Sequence, residues 1–194
     1  HVHECRVTIS KSSLLQFFTR IHPATTKRNK PWPLIEIYCL EFLLDFTFYE
    51  EGQTNVPKAT DAFEVLIQLA RCSTANVRIL ALSVLRNLVF NVTNRPRILT
   101  SMDFMNLLHF TLKNGNLSEI GVVGSILWSL IANNQKAKLI TRTAGFGQSL
   151  QEVLGRLSLD KTPDDAQHRD LAKIIQYVIT LLKTSDAKSD VSAE

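Results

Sequence analysis

Two stretches of this chain repeat one pattern at a fixed interval, and that interval restricts the fold more than any single residue. Ser83-Val84-Leu85-Arg86-Asn87-Leu88 runs on to Asn91 and then to Asn94-Arg95-Pro96-Arg97-Ile98. It returns 42 residues later as Ser125-Ile126-Leu127-Trp128-Ser129-Leu130, then Asn133 and Gln135-Lys136-Ala137-Lys138-Leu139. A period of about 40–47 residues in apolar helical patterns marks armadillo or HEAT units. Such units bury their apolar faces against their neighbours and offer an extended surface to another macromolecule. The expected fold is all-α: an armadillo/HEAT-like right-handed helical solenoid with a long C-terminal capping helix.

Composition agrees with a helical, core-forming chain. Of 194 residues, 45% are hydrophobic and 21% charged, which excludes a disordered class. The chain starts at His1, and it is read as an excised piece of a longer protein. Leu34 to Tyr49 is the most apolar stretch, but Glu36, Glu41 and Asp45 argue against a membrane span. Cys5, Cys39 and Cys72 are sparse and odd in number, favouring unpaired thiols in a reducing compartment. Asn91-Val-Thr93 and Asn116-Leu-Ser118 match the glycosylation triplet, a pattern common by chance. The net charge is +4 and uneven. Arg6, Lys11, Arg20, Lys27, Arg28 and Lys30 stand against Glu4 in the first thirty residues, as a solvated segment or a polyanion contact.

Along the chain, residues 1–22 read as a lead-in helix or loose segment and 23–33 as a proline-rich basic loop. Residues 34–184 read as the armadillo-like repeat domain and 185–194 as a disordered tail. Within the repeats, helices are expected at Leu34 to Tyr49, about 61–72, Val77 to Phe90, Asp103 to Lys113, Leu117 to Ala132, Gln135 to Thr143 and Gln148 to Leu157. Glu50 to Lys58 reads as a loop broken by Gly52 and Pro57. Glu64 is placed to close a capping box, and Asn114-Gly115 to end a helix. Thr162-Pro163-Asp164-Asp165 marks the start of the last helix. That helix carries one apolar stripe: Leu171, Ile174, Ile175, Val178, Leu181 and Leu182.

Superposing the long helices at the 42-residue offset yields two stripes. The apolar one is Phe42, Leu43 and Phe46; Val84, Leu85 and Leu88; Ile126, Leu127 and Leu130. The polar one is Glu41, Asp45 and Tyr49; Ser83, Asn87 and Asn91; Ser125, Ser129 and Asn133. Each polar set follows i, i+4, i+8 and shares a helix face. Together they are the candidate partner-binding ladder on the concave side, or else the solvated side of ordinary amphipathic helices. Arg86, Arg95, Arg97, Lys136 and Lys138 form a candidate basic rim. Trp128 lies beside the polar stripe with apolar flanks, as a binding anchor or, the expectation preferred here, a core residue. Trp32 in the proline loop is the better candidate for an exposed aromatic.

The second copy carries a more particular likeness. Gly124-Ser-Ile-Leu-Trp128-Ser-Leu-Ile-Ala-Asn133-Asn-Gln-Lys-Ala-Lys138 resembles the last armadillo-like unit of the rotatin family, which includes an insect anastral-spindle member. Ala81 to Leu88 with Asn94 to Leu99 is similar to the unit before it. The resemblance covers residues 76–143 and fades on either side. It implies the C-terminal domain of a large scaffold of centrioles and basal bodies, acting in centriole assembly, elongation and conversion to centrosome. The implied location is the cytoplasm and cytoskeleton. The implied partner is a small centriolar protein of the protein-phosphatase-one regulatory-subunit type. Generic peptide-binding armadillo proteins carry a Trp-x-x-x-Asn ladder. Ser83 stands at that spacing from Asn87, which speaks against an importin-like groove.

No enzyme is expected. The chain has no GxGxxG, GxxxxGK, GxSxG or HExxH. His1-x-His3-x-Cys5 is a poor zinc site. His22, His109 and His168 lack partners at useful spacing and read as surface or boundary residues. No cofactor, metal, small-molecule substrate or membrane is expected. A nucleic-acid-binding helical repeat using residues 20–30 with Arg78, Arg86, Arg95 and Arg97 is the alternative from another class.

Overall fold

The computed structural model of the chain describes residues 2–21, 33–159 and 166–184. The proline-rich basic loop with Trp32, His22, the Thr162–Asp165 helix start and the tail beyond Thr184 lie outside them. Among the described residues the fold is all-helical, as expected. The helices are α1 (Val2–Lys11), α2 (Leu14–Ile21), α3 (Pro33–Thr47), α4 (Glu50–Asn55), α5 (Ala62–Leu69) and α6 (Ala75–Phe90). After them come α7 (Arg95–Thr100), α8 (Met102–Asn114), α9 (Leu117–Ile131), α10 (Gln135–Thr143), α11 (Phe146–Leu159) and α12 (Ala166–Lys183). The long helices α3, α6 and α9 begin at residues 33, 75 and 117, so the 42-residue period of the sequence is a period of the backbone. A short and a medium helix precede each long one, giving four short–medium–long triplets. The lead-in segment supplies the first two helices of the first triplet.

Two compact units divide the chain, His1–Leu107 and Leu108–Glu194, with the division inside α8. In the first unit like packs on like: α1 on α4, α2 on α5 and α3 on α6. The core holds Leu40, Leu43, Leu66, Leu82, Leu85 and Leu88. In the second unit α9 and α11 both pack on α12, around Ile126, Leu127, Leu130, Phe146, Ile175 and Val178. On α12 Lys173, Gln176 and Thr180 are exposed, beside the half-exposed Ile174 and Tyr177.

Local chemistry moves several boundaries from their expected places. The stretch after α3 is helical rather than a loop, α4 followed by a 3-10 turn at Val56–Lys58. Gly52 is buried inside α4, and a Cβ there would lie 2.1 Å from the Phe46 carbonyl oxygen, so glycine serves close approach and not a break. Glu64 closes no capping box: Asp61 takes a left-handed conformation (φ 59°) without a side-chain cap, and Glu64 pairs with Arg97 at 3.1 Å. The full capping box is instead at Asn116 and Glu119, each side chain meeting the other's backbone N–H at 3.0 Å. It starts α9 directly after Gly115, which itself shows no left-handed φ.

Triplets are tied to one another through backbone carbonyls about one period away. Asn87 is 3% exposed and donates to the Leu44 carbonyl at 3.3 Å and the Thr47 hydroxyl at 3.2 Å, joining α6 to the end of α3. Asn94 donates to the carbonyls of Gln53 and Leu88, both at 2.9 Å. Arg97 donates to the Pro57 carbonyl at 2.9 Å. In the second unit Arg156 donates to the carbonyls of Leu112 and Lys113 at the end of α8, and inside the last triplet Arg142 of α10 donates to those of Leu182 and Thr184 at the end of α12. Helix C-termini leave carbonyls without intrahelical partners and carry partial negative charge, so a guanidinium there satisfies both needs. Asn87→Ala should cost about 1–3 kcal/mol, the range for losing a buried hydrogen-bonding group. Asn133→Gly, at an exposed position with φ 53°, should change stability by no more than about 0.5 kcal/mol. Urea denaturation followed by circular dichroism checks both.

Candidate protein-binding surface

The polar stripe does not form one solvent-facing ladder. Glu41 and Asp45 are exposed on α3, but the helix stops at Thr47, so Tyr49 leaves that face and becomes the residue before α4. Its ring lies under the Arg6 guanidinium at 3.9 Å. Ser83 is half-buried and Asn87 is the buried tie already described. Asn91 follows α6, accepts from the Thr93 N–H at 3.0 Å and donates to Thr54 at 3.1 Å. Ser125 and Ser129 are half-buried and bond back to carbonyls of their own helix, Ser129 to Ser125 at 2.8 Å. Asn133 is exposed beyond the end of α9. A helix face of Ser and Asn serves as well to pack against a neighbouring helix as to meet solvent, and in α6 it packs.

The basic rim also dissolves into structural roles. Lys138 is only 2% exposed. Arg95 donates to the Val89 carbonyl at 3.1 Å, and its burial draws its pKa below the usual guanidinium range. Arg97 is committed to Pro57 and Glu64. Arg86 reaches Asn87 Oδ1 at 3.3 Å and lies over the Phe90 ring. Lys136 alone of the five is an exposed lysine. Arg78 donates to the carbonyls of Cys72 and Ser73.

Each unit also exposes aromatic side chains next to positions of the polar stripe. Trp128 on α9 is 47% exposed, not core, and meets the half-exposed Tyr177 of α12 edge-on at 6.0 Å. Ile174, 40% exposed, is on the same helix one turn earlier. In the first unit Phe48 and Phe90, one period apart, are also exposed, Phe48 edge-on to Tyr49 and Phe90 beneath Arg86. Trp128 was placed in the core on its immediate neighbours, Leu127 and Leu130. The useful signal was at helical spacing: Gly121 and Ser125, seven and three residues earlier, mark its face as the small and polar one. Paired half-exposed Trp and Tyr on rigid helices supply apolar area with polar edges at low entropic cost, the composition of interface hot spots.

The remaining polar cluster is structural. His109 stacks on Phe146 at 3.8 Å, its Nε2 donating to the Ala144 carbonyl at 2.9 Å, while the Ser149 hydroxyl lies 3.0 Å from Nδ1. These contacts hold the turn at Gly145 (φ 84°). His3 lies 2.5 Å from Glu51. Among the described residues no three His, Cys, Asp or Glu side chains gather as metal ligands. Among them, too, no single helix is long and apolar enough to cross a membrane.

No family model matches the chain, and no solved structure matches it significantly. Three curated proteins do. Rotatin of Mus musculus is 24% identical over 185 residues and rotatin of Homo sapiens 25% over 186, each match covering 94% of this chain. The protein rotatin homolog of Drosophila melanogaster is 27% identical over 202 residues, covering 93%. The matched stretch is 8% of the length of the two mammalian relatives and 10% of the insect one. The likeness first read over residues 76–143 thus extends across nearly the whole chain. If Trp128 is a surface residue, Trp128→Ala should cost under about 1 kcal/mol, whereas Leu127→Ala in the core beside it should cost about 2–5 kcal/mol. Chemical denaturation of the two variants distinguishes the cases.

Proposed function

We propose that this chain, which is related to the rotatin family over nearly all of its length, is a non-enzymatic protein-interaction domain. Within each unit its helices pack in the armadillo-like manner, and the exposed aromatic pair of the second unit receives the partner. The observation that carries this reading is Trp128 against Tyr177: a large aromatic pair left half in water on helices whose apolar faces are packed beneath it. Burying that pair would remove apolar area from water at roughly 25 cal/mol per Å². The packed helices α9 and α12 hold both rings, so little ordering entropy opposes binding. Support for the stack comes from the 42-residue spacing of α3, α6 and α9 and from the like-on-like packing inside the first unit.

The family relation extends the proposal. The chain acts as the C-terminal domain of a centriolar and basal-body scaffold in the cytoplasm. It serves centriole assembly, elongation and conversion to centrosome by binding a small centriolar protein of the protein-phosphatase-one regulatory-subunit type. Affinity purification of the tagged chain from dividing cells, followed by mass spectrometry, should recover centriolar proteins. Trp128→Ala and Tyr177→Ala should each lower that recovery by about tenfold or more while leaving the helical signal intact, as for a hot-spot pair. Recovery without any centriolar protein overturns the cellular role. Undiminished recovery by both variants overturns the aromatic pair as the binding site.

A further inference from the structure

We draw no further inference here: the strongest candidate, the groove of about 670 Å³ between α8 and α11 lined by His109, Leu112, Lys113, Ser149, Glu152 and Arg156, carries nothing, because the His109 ring and the Arg156 guanidinium already serve backbone carbonyls and nothing in the structure shows what covers the groove.

Discussion

Helices stacked side by side over several turns must satisfy two demands at once. Their apolar faces must mesh, and the carbonyls at their C-termini must find donors, because those groups have no partner within the helix. In this chain the second demand sets the register. Asn87 reaches the end of α3, Arg97 the 3-10 turn after α4 and Arg156 the end of α8. Each donor stands about 40 residues from its acceptor, so the bonds form only when like helices of consecutive triplets are aligned. A side chain with wider tolerance, such as leucine, would pack in several registers. A directional donor fixes one, and the 42-residue period of the sequence is the imprint of that requirement.

The same requirement explains which residues were misjudged from sequence. A recurring Ser/Asn stripe at i, i+4, i+8 reads as a wet face, since polar residues usually stay in water. In α6 it is the packed face, since Asn87 exchanges hydration for a backbone carbonyl and a hydroxyl of the neighbouring helix. Charge suggests exposure for Arg95 and Lys138, but the Arg95 guanidinium serves a carbonyl and Lys138 is buried; Arg97 is exposed, with its guanidinium on Pro57 and Glu64. Periodicity within the chain shows that a position is repeated. It does not show whether the repeated neighbour is water or another helix, because that neighbour lies a full period away.

What was legible had local causes. The extents of α9 and α10 followed from apolar spacing and from Asn and Gly at their ends. The period located three long helices, and the likeness to the rotatin family was carried by a contiguous motif. Illegible features depended on distant partners. Gly52 marks a loop in isolation, yet it lies within α4 because the Phe46 carbonyl approaches it. Glu64 suits a capping box by spacing, yet Arg97, 33 residues on, is the better partner for its charge. Tyr49 completes a stripe by counting, but α3 ends two residues before it.

Within the second unit α12 separates its sides by composition. Its buried side holds Leu171, Ile175, Val178 and Leu182, while Lys173, Gln176 and Thr180 keep their water at no cost. Trp128 and Tyr177 stand between these two classes: rings with polar edges, fixed by the core beneath them, whose recognition rests on shape and burial and changes little with salt.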